Sequence, residues 1–242
     1  MKRHFHAFAM DARNVRGQNI PADTPLIVFG NHPGWWDPIV GMIVNQAAFP
    51  GRTLYSPIDA AALEKYGVFK KLGFYGIDLS STRGAAAFLK TSRAIMTQPN
   101  TALWITPEGR FADPRDHSQP LMHGLAHLAH DAPNALLVPI AIEYPFWEER
   151  LPEALVRLGR IIRVDEAGCT TKLQWQDYLT NALRETQREL AESSIARRTE
   201  DFELLISSKL RRSWYDFFRL TAARLRGKSI PIEHGKKFVE SE

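Results

Sequence analysis

The sequence predicts a mixed α/β domain: a largely parallel central sheet flanked by helices, with a helical extension at the C-terminal end. Three observations predict it. Short β-branched or aliphatic runs alternate with longer stretches of helical period. Residues that stop strands, namely Gly30, Gly76 and Thr106-Pro107, fall at the ends of those runs. Polar clusters follow the runs at Asn31–Asp37, Ser80–Arg83 and Glu108–Arg110. That is where the carboxyl ends of strands in an open α/β sheet gather ligand groups.

Taken in order, strands are expected at 26–29, 52–56, 74–79, 102–105, 136–142 and 156–164. Helices are expected at 38–48, 60–72, 84–96, 121–130 and 173–194. The first strand is bounded by Pro25 and Gly30, and the first helix opens at Pro38 with Asp37 as a candidate N-cap. Ser80-Ser81-Thr82 supplies caps for the third helix, and Asp131-Ala-Pro133 ends the fourth. Beyond 196 the pattern changes. Leu210, Trp214, Phe217, Phe218, Thr221 and Leu225 share one side at helical spacing, with Arg212, Arg219 and Arg226 on the other. This predicts a basic amphipathic helix over 202–226, and a division into a domain at 1–195 and an extension at 196–242.

The bulk numbers fit one globular domain with an appendage: 242 residues, 44% hydrophobic and 24% charged. A lone cysteine, Cys169, excludes an intramolecular disulfide. No stretch approaches the roughly 18 apolar residues of a membrane span. The net charge of +4 is uneven: seven basic residues between Lys209 and Lys228 face only Asp216. The rest of the chain is slightly acidic, so an anionic partner is expected at the C-terminal segment.

Two clusters carry chemistry. His32 and Asp37 stand five residues apart directly after the first strand. Imidazole titrates near neutrality, and a carboxylate on its far nitrogen fixes the tautomer and stabilises the imidazolium, which makes a general base. After the fourth strand, Pro107-Glu108-Gly109-Arg110 sets a carboxylate and a guanidinium on a Gly-containing loop. That pairing can grip a polyhydroxy or phosphorylated acceptor. Trp35 and Trp36 either line an apolar tunnel beside His32 or anchor its loop in the core.

Asn31-His32-x4-Asp37, Gly76-Ile77-Asp78 with Arg83 downstream, Pro107-Glu108-Gly109 and Val138-Pro139-Ile140 occur in that order. The series resembles the four sequence blocks of the glycerolipid acyltransferase superfamily, the lysophosphatidic acid acyltransferase-like enzymes. The resemblance implies that His32 is the general base and Asp37 orients it. It implies acceptor and acyl contacts from Asn31, Gly34, Arg83, Pro107, Glu108, Gly109, Arg110 and Pro139. The donor would be acyl-CoA or acyl-carrier protein, with no metal or other cofactor, because a thioester is already activated. An amide such as that of Gly34 would stabilise the oxyanion. The acceptor would be a lipid hydroxyl, and the protein would work at the cytoplasmic face of an anionic membrane. Two departures touch the acceptor grip alone: Arg110 follows Gly109 directly, and the first arginine of the second block comes only at Arg83.

Two alternatives stand beside this reading. One is a peripheral lipid-binding protein without catalysis, held by the basic helix. The other is a zinc hydrolase using His123, His127 and His130, which share one helical face. A single basic segment with no reader motif argues against nucleic acid.

Overall fold

Leu26-Ile-Val-Phe-Gly30 is buried along its whole length, as a strand at the centre of a parallel sheet must be. Its alternation divides the molecule into two layers. Leu26 and Val28 join a core with Val40 and Val44, and Ile27 and Phe29 join another with Phe88, Leu128 and Trp175. The computed structural model describes residues 3–78, 80–207 and 238–240.

The chain runs β1 (Ala7–Asp11), β2 (Leu26–Gly30), α1 (Asp37–Ala48), β3 (Thr53–Asp59), α2 (Ala60–Lys65), a 3-10 segment (Gly67–Leu72) and β4 (Phe74–Ile77). There follow α3 (Thr82–Met96), β5 (Thr101–Ile105), α4 (Gly124–Asp131), β6 (Leu136–Glu143), β7 (Ala154–Leu158) and β8 (Ile162–Arg163). Helix α5 (Lys172–Ile195), a 3-10 turn (Thr199–Asp201), β9 (Glu203–Ser207) and β10 (Val239–Glu240) complete the described residues. The strands form one sheet in the order β10-β9-β1-β7-β6-β2-β5-β3-β4, with β8 also paired to β6. From β6 through β2, β5 and β3 to β4 every pairing is parallel. Antiparallel pairs enter only between β6 and β7 or β8 and between β1 and β9. Helix α1 covers one face, and α3, α4 and α5 cover the other. The consequence for function is that β2, β3, β4, β5 and β6 all finish at the same edge.

The mixed, mostly parallel sheet expected from the sequence is thus present, with four revisions. Strand β1 was not anticipated, although all five of its residues are buried. The expected strand at 156–164 is two strands, β7 and β8. At Gly159, between them, a side chain would collide with Thr186 and Pro139. The expected helix at 60–72 is α2 plus a tighter 3-10 segment, because Tyr66 leaves helical geometry at φ −120°, ψ 62°.

The fourth revision concerns the extension. Residues 203–207 are not the start of a helix but strand β9, whose aliphatic Leu204-Leu-Ile206 run pairs antiparallel with the otherwise open edge of β1. The remainder of the expected basic helix, 208–226, lies outside the described residues, as do the lysines and arginines from 209 to 228.

Candidate active site

Strand β2 ends at Gly30, where a side chain would collide with Ile140 of the neighbouring β6. The next residue, Asn31, is buried and ties the two strands together. Its amide nitrogen donates to the Ile142 carbonyl at 3.0 Å, and its carbonyl oxygen accepts from the Ile142 N–H at 2.8 Å. Asn31 is therefore an anchor for the loop that follows rather than a ligand-facing group. The loop then presents His32 and turns into α1 at Asp37.

His32 Nδ1 lies 2.5 Å from Asp37 Oδ2. An ionised carboxylate only accepts, so Nδ1 carries a proton, and in the neutral imidazole the lone pair is left on Nε2. The bland alternative for Asp37, capping of α1, is not what its side chain does: the helix has no side-chain cap, and Trp36 occupies that position. Instead the carboxylate accepts from three donors. Besides His32 these are the Gly34 N–H at 3.1 Å and the Tyr144 hydroxyl, which reaches Oδ1 at 2.5 Å. Burial, and then the Asp37 charge, holds the Tyr144 phenol far above its usual range, so it stays a donor. The Gly34 amide is engaged with Asp37, which removes it from the oxyanion role expected of it.

A second loop straps His32 from the β5 side. The His32 N–H donates to Glu108 Oε2 at 3.1 Å, and its carbonyl accepts from the Ala112 N–H at 3.1 Å. The other Glu108 oxygen accepts from Arg184 Nη1 of α5 at 2.9 Å, and Arg184 also donates to Gln187 Oε1 at 2.7 Å. The Glu108 side chain is only 6% exposed, and both its oxygens are taken up, so it builds the site instead of gripping an acceptor. The loop turns at Gly109, with φ +64° and a Cβ position already filled by Met122. Phe111 lies over the imidazole, ring centroids 4.4 Å apart.

From His32 a cavity of about 1040 Å³ extends between α2, α3 and α4. Its walls are mainly apolar, including Trp35, Tyr66, Phe69, Phe88 and Leu89, with Lys65, Arg110, His123 and His127 as its basic groups. A smaller recess of about 90 Å³, lined by Gly41, Leu54, Trp104 and Ile140 among others, lies behind His32 and Asp37. A cavity of the larger size accommodates a long aliphatic chain with a polar head.

The sequence-predicted residues divide accordingly. His32, Pro107, Gly109 and Arg110 line the large cavity, though Arg110 is also paired with Asp116 at 3.2 Å. Gly34 and Asp37 hold the His32 loop. Arg83 is exposed on the first turn of α3 and is not among the residues lining the cavity. Pro139 is buried in mid-sheet on the side facing Thr186 of α5, so the Val-Pro-Ile block meets the small recess through Ile140 alone. The two tryptophans take different parts. Trp35 lines the cavity, whereas Trp36 packs on Phe5 at 5.3 Å. His123 and His127 face the cavity, but among the described residues no three His, Cys, Asp or Glu side chains are grouped to hold a metal ion. Tyr144, Arg184 and Phe111 were not anticipated. Tyr144 had a signal, since Ile140, Ile142 and Tyr144 follow one face of a strand at period two; Arg184 had none.

A solved structure of the 1-acyl-sn-glycerophosphate (LPA) acyltransferase PlsC from Thermotoga maritima has a similar fold. The TM-score is 0.52 at 13% identity, covering 76% of this chain and 72% of that one. Comparison with curated proteins returns no matching sequence. The acyltransferase family model matches residues 12–143. That span takes in both loops that meet at His32 and covers more than half of the sequence, and on this ground the chain belongs to the acyltransferase family.

Proposed function

We propose that this protein transfers a fatty acyl group from a thioester donor, acyl-CoA or acyl-carrier protein, to a hydroxyl of a lysoglycerolipid or similar lipid acceptor. The observation that carries the proposal is the His32–Asp37 pair, closed to 2.5 Å at the head of a long apolar cavity. His32 Nε2 takes the proton of the acceptor hydroxyl as its oxygen attacks the thioester carbonyl. Asp37 stabilises the imidazolium that forms on His32, and Gly34 and Tyr144 keep Asp37 in place. The tetrahedral adduct then collapses: the C–S bond breaks, the ester remains, and the thiolate takes up the proton that His32 received from the hydroxyl. No metal or cofactor is required, because the thioester supplies the activation.

Lysophosphatidic acid is the first acceptor to test. The likeness to the Thermotoga maritima enzyme suggests it, and Lys65 and Arg110 offer cationic partners for a phosphate. His32→Ala is expected to lower transfer by at least about a hundredfold while the protein stays folded, as loss of a general base requires. Thiol release from acyl-CoA, and lipid profiles of cells expressing wild type or variant, measure it. A folded His32→Ala protein with near-normal transfer would refute the mechanism.

A further inference from the structure

The large cavity opens beside an exposed corner of the molecule. Between α2 and β4 the chain turns through Lys65-Tyr-Gly-Val-Phe-Lys-Lys-Leu72. Phe69 roots this turn in the core, and Trp35 meets Tyr66 at 5.0 Å and Phe69 at 6.3 Å between ring centroids. Around that root stand three large apolar side chains in solvent: Trp35 is 52% exposed, Val68 61% and Leu72 36%. Single exposed apolar residues are ordinary, but a group of them beside a cavity mouth marks an interaction surface.

The charges within the turn itself are of one sign, although Asp59 and Asp78 line the adjoining cavity. Lys65, Lys70 and Lys71 are exposed, and the turn from 65 to 72 contains no carboxylate. The Lys65 ammonium stands 5.3 Å from the Tyr66 ring centroid. Glu64 precedes the turn, and Asp59 is occupied in capping α2 through the Ala61 and Ala62 N–H groups. In a 3-10 segment residues three apart eclipse, so Val68 lines up with Lys71 and Phe69 with Leu72. An apolar tip flanked by lysines on flexible stems is the arrangement that enters a headgroup layer while its ammonium groups meet phosphates.

We propose that this corner, Trp35 with Lys65–Leu72, is the surface on which the protein docks to an anionic phospholipid bilayer. Trp35, Lys65, Tyr66 and Phe69 belong at once to the corner and to the cavity wall. Docking there sets the cavity mouth on the lipid, so a membrane acceptor reaches His32 without crossing water. The inference rests on the acceptor being a lipid. An acidic acyl-carrier protein would satisfy the lysines but not three exposed apolar side chains, one of them tryptophan, which favour the bilayer.

The test is sedimentation of the full chain with phosphatidylcholine vesicles, with and without phosphatidylglycerol. Val68→Asp/Leu72→Asp is expected to weaken binding to both vesicle types by about tenfold or more. Lys70→Gln/Lys71→Gln is expected to weaken it by about tenfold on anionic vesicles only. Brominated lipid should quench tryptophan emission in wild type and lose much of that effect in Trp35→Phe. Both double variants should keep transfer between a short-chain thioester and a monomerically dissolved acceptor. Unchanged vesicle affinity in the two double variants overturns the docking surface. So does a lysine-pair defect seen only with acyl-carrier protein. Absence of dissolved-substrate transfer even in wild type overturns the enzymatic reading instead, and leaves the vesicle result to stand by itself.

Discussion

Asp37 is the residue on which the site turns, because three donors from two parts of the chain converge on its two oxygens. His32 and Gly34 come from its own loop, whereas Tyr144 lies 107 positions away at the end of β6. The His32–Asp37 pairing was legible from residue types and spacing, since both members sit on one short loop. Tyr144 was not, because its partnership depends on β6 lying beside β2. Tyr144→Phe keeps the ring against Phe5, 5.4 Å away, and removes only the hydroxyl that steadies the carboxylate. We expect kcat to fall about tenfold with KM little changed, in line with the loss of one oriented hydrogen bond to a charged group. Steady-state kinetics with a saturating thioester donor distinguish this from a general loss of fold.

At the scale of elements, the informative object is the loop from Thr106 to Ala112, held to β2 by His32 and to α5 by Arg184. Pro107-Glu108-Gly109 was visible in the sequence as a chemical cluster. What it does was not, since Arg184 stands in a helix whose local sequence gives no sign of the pairing. Arg184→Ala leaves the Glu108 carboxylate in a protein interior without its cation, a change that costs about 3 kcal/mol. Denaturant unfolding should register that loss, and Glu108→Gln in the same chain should recover part of it by removing the stranded charge. Boundaries between elements were misjudged for local reasons as well. The break at Gly159 follows from Thr186, which leaves no room for a side chain there. Thr186 is too far away in sequence to weaken the periodicity that had suggested one continuous strand.

For the whole molecule, the parallel half of the sheet was readable because its strands are aliphatic runs ended by turn residues. The half formed by β1, β9 and β10 was not, as those strands are short and gain their meaning from one another. Burial of phenols gives the fold a pH response of its own. Burial pushes Tyr75, which is hydrogen-bonded to Ser92 at 2.8 Å, up to about 12, and Tyr144 is raised as well. The unfolded chain releases these protons first, near pH 10, so the folded state binds more protons above that point and stability falls as pH rises. Tyr75 alone should account for roughly 2 kcal/mol between about pH 10 and 12. Urea midpoints across that interval should drop in wild type and drop less in Tyr75→Phe.

The division of labour between sheet and helices has a consequence for inheritance. His32 and its supports hang from the ends of β2, β5 and β6, while the cavity beside it is walled largely by α2, α3 and α4. Substitutions on those helices change what fits without touching the hydrogen bonds that set His32. A lineage of such proteins can therefore exchange one substrate for another by drift in its walls, with the hydrogen bonds around His32 kept throughout.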